Sequence, residues 1–564
     1  MKVSDYIVKF FIEKGATDVF GLPGGVVLDL LYSLHIQHDK ITPHLNYHEQ
    51  AAAFAACGYA QVFCNLGIAY STKGPGVTNM VTGITDAFCD SIPVFFISAH
   101  SKISVLNLRF EENQEYDTIQ MVQGITKYAS RITDTKDIRW QLEFAYEKAF
   151  EGRPGPVFLD FAVHVLQADI EPDELKPYQC TKTHFDSSDS IIGAIKSALS
   201  KAKRPVLLIG DGIRQAKVQQ TLHEFANSIK IPVLSSRFAQ DSIPDSKYYY
   251  GYIGSHGMRY SNFILSKCDL LISLGNRLAY NPNSKSFEQF TRQAKIIRID
   301  VDTNEFERYL PGAVNFHADL QFIMPELVKE SWIENSFITW VDVCNKLHSA
   351  LKNYDISYPI TIISEILKTI KKEMVITSDV GNNEFWLALA YTFSGITNRI
   401  LYSKSFGALG CSLAKAIGAY YATHERVLCF TGDQGFQMNI QELQFIAHER
   451  LPVTVVILNN TSSGMIRIGQ KQRFDGHFVH TTLNSGYSVP NFNAIANSYG
   501  ISYHFFTKND TIPIDILFTS DGPQIIEILI DEDIDVLPKL PKNHSCQNFI
   551  PELEKGLYEQ LDKM

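Results

Sequence analysis

The sequence predicts an α/β protein built from three parallel-sheet domains, and three observations predict it. Short runs rich in Val, Ile and Phe alternate with helical stretches along the whole chain. Continuous apolar strands between helices belong to parallel sheets covered on both faces. Two stretches interrupt that rhythm: 167–190, polar with Pro172 and Pro177, and 332–358, a helical stretch and then a polar turn closing on Pro359. A length of 564 residues, at roughly 150 per domain, fits three somewhat large domains. The expected domains are 1–165, 188–333 and 357–540, with 541–564 as a tail or terminal helix.

In chain order, runs 67–71, 94–98 and 157–161 supply strands to the first domain. Runs 206–209, 270–274 and 296–299 supply the second, and 375–377, 427–431 and 453–458 the third. At the N-terminus, Asp5, Lys9, Glu13 and Lys14 are interspersed with Tyr6, Ile7, Phe10 and Phe11. That is an amphipathic helix rather than the unbroken apolar stretch of a signal peptide. No segment reaches the ~18 apolar residues that span a bilayer. Nine cysteines occur singly, with no C-x-x-C pair, as expected for reduced thiols. A net charge of −10 argues against nucleic acid or an anionic membrane as partner. The expectation is a soluble cytoplasmic protein.

The most informative local pattern is Gly432-Asp433 followed by Asn459-Asn460. Each pair ends an apolar run, a helical stretch at 439–450 separates them, and their spacing matches one strand-helix-strand unit of ~30 residues. Such a unit places both side chains at the carboxyl ends of parallel strands, where open α/β sheets bind ligands. A carboxylate and an amide oxygen converging there suit a hard cation such as Mg²⁺, which keeps positions open for phosphate oxygens. Gly432 and Gly435 let a diphosphate approach the backbone.

These residues resemble the motif of the thiamin-diphosphate (ThDP) enzymes, which begins Gly-Asp-Gly and ends Asn-Asn; Gln434 stands at the third position here. Further stretches resemble the acetolactate-synthase type of that family, in order and spacing. They are Gly21-Leu22-Pro23-Gly24-Gly25, His48-Glu49-Gln50, Ser71-Thr72-Lys73-Gly74-Pro75-Gly76-Val77-Thr78-Asn79 and Gly152-Arg153-Pro154-Gly155-Pro156-Val157. The resemblance covers essentially the whole chain. It implies pyrimidine-binding, central and diphosphate-binding domains in that order.

The resemblance also implies roles. Asp433, the Asn460 side chain and the Ser462 carbonyl would bind Mg²⁺. Glu49 would hydrogen-bond the cofactor's aminopyrimidine, and Leu409, within Phe406-Gly407-Ala408-Leu409-Gly410, would wedge beneath its rings. Gly24, Gly25, Pro75 and Asn79 would contact the cofactor from the first domain. Asn382, Asn383, Gly407, Gly432, Gln434, Gly435, Gly464 and Met465 would do so from the third. Gln114, beside Glu115, would meet substrate or flavin. A 2-oxo acid, pyruvate above all, would lose CO₂ and leave an enamine that attacks a second carbonyl. Active sites would form between subunits of a homodimer or homotetramer. Whether the central domain holds FAD stays open: Gly210-x-Gly212 is followed by Gln215, a weak dinucleotide fingerprint.

Two departures point to a side branch. Relatives carry Asp-Asp-Arg after Gly275-Asn276-Arg277, where this chain has Leu278-Ala279-Tyr280-Asn281. They carry Trp after Gly464-Met465, where this chain has Ile466-Arg467-Ile468. Gly486-Tyr487-Ser488-Val489-Pro490-Asn491-Phe492 and Gly254-Ser255-His256-Gly257-Met258-Arg259-Tyr260-Ser261-Asn262 resemble members found with sugar pathways, which makes a ketosugar a candidate acceptor. Arg467, Lys471 and Arg473 are candidates to hold an anionic acceptor. The competing readings are a non-ligating decarboxylase, a flavin-linked oxidase, and a catalytically silent nucleotide-binding regulatory protein.

Overall fold

A computed structural model of the chain describes all residues except 102–113, 115, 181–182, 280–293, 308–309, 311, 333–336, 514, 519 and 543. The expectations attached to Glu115, Tyr280 and Asn281 lie outside the described residues. The fold is α/β with three six-stranded sheets, parallel throughout. The chain forms two compact units. One comprises Met1–Lys182, Glu373–Glu384 and Asn398–Asp533; the other comprises Thr183–Lys372, Phe385–Thr397 and Ile534–Met564.

The first unit holds two sheets. One is made of β1 (Asp18–Gly21), β2 (Thr42–Leu45), β3 (Gly67–Tyr70), β4 (Val94–His100), β5 (Tyr128–Ile132) and β6 (Val157–Ala162), in the order β2-β1-β3-β4-β6-β5. The second unit's sheet runs β12-β11-β10-β7-β8-β9, from β7 (Pro205–Ile209), β8 (Val233–Ser236), β9 (Tyr249–Ile253), β10 (Leu270–Leu274), β11 (Lys295–Asp300) and β12 (Val314–His317). The other sheet of the first unit contains β13 (Val375–Ser378), β14 (Ile400–Leu401), β15 (Val427–Gly432), β16 (Val453–Asn459), β17 (Ser502–Phe506) and β18 (Gln524–Leu529). Its order is β14-β13-β15-β16-β18-β17, so both sheets of this unit repeat one topology. In each, the order reverses between the first and third strands, and ligands bind beyond the carboxyl ends at such a reversal.

All nine apolar runs are strands. They read as continuous apolar segments because both faces are covered; β4 and β16, for instance, are buried along their whole length. The N-terminal amphipathic stretch is the helix Val3–Glu13, which buries Val3, Ile7, Val8, Phe10 and Phe11. The helix expected over 439–450 is shorter. A helix spans Asp433–Met438, a 3₁₀ turn Ile440–Glu442, and a helix Leu443–His448. The break falls at Asn439, whose φ is −130° and whose Nδ2 donates to the Gly410 carbonyl at 2.7 Å.

Within the first unit one core joins the two sheets. The helix Glu49–Phe63 lies against the helix Ser412–Thr423 at backbone distance. A Cβ on Gly58 would sit 2.3 Å from the Lys415 carbonyl oxygen, and one on Gly418 would sit 1.8 Å from that of Ala55. Only glycine permits this approach. Beside the crossing, Lys415 is fully buried and paired with fully buried Asp86 at 2.9 Å. Burial pulls the ammonium's pKa down, but Asp86 and Asp90 outweigh that and hold it above the usual lysine value. In the second unit the C-terminal residues pack on the central sheet's helices. Asn262 Nδ2 donates to the Cys546 carbonyl at 2.9 Å, and Arg259 donates to the Pro551 carbonyl at 3.0 Å. The stretch 541–564 therefore ends in a docked helix, Lys555–Asp562.

Candidate active site

Asp433 follows β15 and opens the helix Asp433–Met438. The parallel register sets Gly432 opposite Leu458 of β16, which brings the turn from Asn459 to Ser462 alongside. In that turn Thr461 is left-handed at φ 50°, and its N–H donates to Asn459 Oδ1 at 3.0 Å. Asp433 is 2% exposed. Its Oδ1 accepts from the Gln434 N–H and the Tyr487 hydroxyl, both at 2.7 Å. Its Oδ2 is buried with no hydrogen-bond partner. Burial pushes the carboxyl's pKa up to about 6, opposed by the hydroxyl of Tyr487 and the backbone N–H groups of Gln434, Thr461 and Ser462.

The loop after β13 closes the same site. Asn382 begins the helix Asn382–Ser394, and both polar atoms of its side chain are buried without partners. A Cβ on Gly464 would meet Asn382 Nδ2 at 2.4 Å and Asn460 Nδ2 at 2.9 Å, so these two amides converge on that glycine. Asn383 lies by Gly432, its Oδ1 3.5 Å from where a Cβ would stand there. Asp433, Asn460, Ser462, Gly464, Asn382 and Asn383 therefore form one cluster at the sheet's reversal, and all six are buried. Met465 is exposed beside it, as is Gln434. Gly435 supplies the steric clearance: a Cβ there would meet Asp379 Oδ1 at 2.8 Å.

Buried, partnerless oxygens are costly unless something fills the gap. A divalent cation against Asp433 Oδ2 and the Asn460 amide, with Asn382 and backbone N–H groups left for phosphate oxygens, would satisfy these groups. The donor set of one carboxylate, amides and carbonyls suits Mg²⁺. Among the described residues no three His, Cys, Asp or Glu side chains group as a metal site.

A second cluster sits at the reversal of the first sheet. Gly24 packs on the turn after β3; its Cβ would fall 2.2 Å from the Thr72 Cβ. Glu49 starts the helix Glu49–Phe63, capped by His48 Nδ1 accepting from the Gln50 N–H at 3.1 Å. Glu49 is 5% exposed. Its Oε2 accepts from Asn79 Nδ2 at 2.9 Å, and its Oε1 lies 3.4 Å from the position of a Cβ on Gly76. These contacts lie between the starts of two helices of the first sheet, Glu49–Phe63 and Pro75–Asp90. Gly25 and Pro75 are exposed nearby in the chain. Gln114 adopts φ 65° with its backbone against Gly74.

Three residues bind this region together: Asp379 and Glu442 were not singled out from sequence, and Tyr487 was read only as part of a side-branch motif, with no role at the cation site. Asp379 is buried; its Oδ1 accepts from the Val380 and Gly410 N–H groups, and its Oδ2 from the Ser412 N–H and hydroxyl. It thereby ties the 406–410 loop, with exposed Gly407 at φ 68° and half-buried Leu409, to the Asn382 turn. Its position just past an apolar strand, like that of Asp433, was the available signal. Glu442 is fully buried and accepts from Asn46 Nδ2 and the Tyr47 N–H, each at 3.0 Å. Burial raises its pKa to about 7. Tyr487 is the third. Of the candidate cations, Arg467 is buried while Lys471 and Arg473 are exposed, which sets it apart from two surface charges.

Family models agree with this layout. The N-terminal thiamine pyrophosphate-binding domain model matches residues 1–122, the central domain model 192–327, and the C-terminal thiamine pyrophosphate-binding domain model 379–528. The chain is 30% identical to the acetolactate synthase isozyme 2 large subunit of Escherichia coli, across 98% of this chain and 100% of that protein. The chain belongs to the acetolactate synthase-like thiamin-diphosphate enzymes. Large subunits from Cyanidium caldarium and Lactococcus lactis are also 30% identical, over 98% and 95% of this chain and 97% and 94% of theirs. As a member of this family the protein is a ThDP-dependent enzyme of the carboligase type.

Proposed function

We propose that the protein decarboxylates a 2-oxo acid, pyruvate first among them, and joins the remaining two-carbon unit to a second carbonyl compound. The observation that carries this reading is the buried, unpartnered Oδ2 of Asp433 beside the Asn460 turn and the Asn382 amide. Bound there, ThDP would supply the nucleophilic carbon and the electron sink that decarboxylation of a 2-oxo acid requires. Asp433, the Asn460 side chain and the Ser462 carbonyl would hold Mg²⁺. Asn382, Asn383, Gly432, Gln434, Gly435, Gly464 and Met465 would surround the diphosphate, and Gly407 and Leu409 would support the rings. Glu49, held by Asn79, would give and take a proton at the pyrimidine, with Gly24, Gly25 and Pro75 around it. Gln114 would face the substrate.

The two clusters belong to separate sheets, and Glu49's described contacts lie within its own. We therefore assign each complete site to two copies of the chain in a homodimer or homotetramer. Exposed Leu28, Tyr32 and Ile36, spaced four apart on the helix Leu28–Ile36 that follows the Gly24–Gly25 turn, suit that contact. The domains are taken as 1–165, 188–333 and 357–540, and the location as the cytoplasm. No helix among the described residues is long and apolar enough to cross a membrane. FAD is a further candidate cofactor for the central domain, where close packing also requires the glycines: a Cβ on Gly210 would lie 2.1 Å from the Gly275 carbonyl oxygen.

The acceptor is either a second 2-oxo acid or a ketosugar; the missing Asp-Asp-Arg and Trp elements keep the ketosugar in play. Incubation with ThDP, Mg²⁺, pyruvate and a panel of both acceptor classes, read by mass spectrometry, decides. A ligation product is expected. Acetaldehyde alone would make the protein a simple decarboxylase, acetate a flavin-linked oxidase, and no CO₂ release would overturn the reading.

A further inference from the structure

The cation cluster also receives a group from a loop that follows no strand of the cluster. The hydroxyl of Tyr487 donates to Asp433 Oδ1 at 2.7 Å. That oxygen also takes the Gln434 N–H, so Oδ1 carries two donors while Oδ2, equally buried, carries none. The asymmetry fixes the carboxylate: one oxygen is anchored and the other is buried with no hydrogen-bond partner.

The loop that brings Tyr487 is itself clamped to the cation turn. Ser462 Oγ and the Ser463 N–H both donate to the Thr481 carbonyl, at 2.7 and 3.1 Å. Thr481 Oγ1 donates to Gln470 Oε1 at 2.7 Å. Thr482 and Ser485 form a reciprocal capping box. Gly486 then turns the chain at φ 95°, a conformation that favours glycine, and the Tyr487 N–H returns to the Thr482 carbonyl at 3.0 Å. The phenol's loop is thus hydrogen-bonded to the turn that presents Asn460. A neutral donor is well chosen for this post: it orients the carboxylate without bringing a positive charge that would repel a cation.

We propose that Tyr487 is a positioning residue of the divalent-cation site, holding Asp433 so that Oδ2 is presented to the metal. This rests on the cation reading above. Groups that orient a metal ligand from behind, when removed, typically cost 10- to 100-fold in metal affinity.

The test is Mn²⁺ titration by electron paramagnetic resonance on the full-length protein in saturating ThDP, for wild type, Tyr487→Phe and Asp433→Asn. Tyr487→Phe should raise the Mn²⁺ dissociation constant by about 10- to 100-fold. Its ThDP affinity at saturating Mn²⁺ should change by less than about twofold, a split that general loosening of the loop would not produce. Gly486→Ala, which displaces the hydroxyl without deleting it, should shift Mn²⁺ affinity in the same direction and serves if the Phe variant misfolds. Wild-type Mn²⁺ affinity in Tyr487→Phe, with binding lost in Asp433→Asn, would overturn the positioning role and leave the site intact. Unchanged binding in Asp433→Asn would remove the site and the inference together.

Discussion

Replacing Glu442 by Gln should make the protein more stable at alkaline pH, and by an amount that can be worked out. Glu442 is fully buried, and burial lifts its pKa from 4.5 to about 7. The folded state therefore binds this proton more tightly than the unfolded chain does. The resulting stabilisation is complete below pH 4.5, declines as pH rises, and is gone once pH has passed through about 7. The shift corresponds to roughly 3 kcal/mol. The amide introduced by Glu442→Gln would stay neutral throughout. It keeps an acceptor for the Tyr47 N–H, and its own N–H suits the Asn46 Oδ1, which is buried without a partner, once the Asn46 amide turns over. Urea unfolding followed by circular dichroism, at fixed protein concentration from pH 5 to pH 8, reads the difference directly. Between pH 5 and pH 8 the variant should gain about 2.5 kcal/mol on the wild type. Asp90 and Asp433, whose pKa values burial also raises to about 6, are common to both proteins and cancel. Parallel stability curves would show that Glu442 is not the titrating group.

Glu49→Gln should abolish turnover while ThDP stays bound at near-normal affinity by isothermal calorimetry; near-normal turnover would remove Glu49 from catalysis. Dialysis against a chelator should release ThDP along with the metal, and readdition of Mg²⁺ should restore binding; retained ThDP in metal-free protein would place the diphosphate elsewhere. Lys415→Met leaves Asp86 buried without its cation and should cost about 3–5 kcal/mol in urea unfolding, whereas Lys415→Met with Asp86→Leu should recover most of it. Equal losses in single and double variants would mean the pair does not act as a unit.

Much of the fold was readable because parallel sheets write themselves as apolar runs. Val427–Gly432 and Val453–Asn459 have no polar face to disguise them. β2, with the pattern exposed, half-buried, buried, exposed, sits at a sheet edge and left no run to read. The candidate site followed from the same logic, since Asp433 and Asn460 stand where strands end. Asp379 obeys that rule too. Tyr487 and Glu442 do not: one acts from a loop and the other from a 3₁₀ turn, and both matter through partners far away in sequence. The break at Asn439 was equally hidden, because it depends on a carbonyl 29 residues upstream.

The glycine-mediated crossing of the helices Glu49–Phe63 and Ser412–Thr423 limits how the catalytic unit can move. With Gly58 and Gly418 seated on opposing main chain, neither helix can slide or rotate without collision, and an ion pair sealed from water locks the crossing. The packing of these two helices therefore joins the element that starts at Glu49 to the sheet that carries Asp433 at main-chain distance, and leaves no room for a side chain at either glycine.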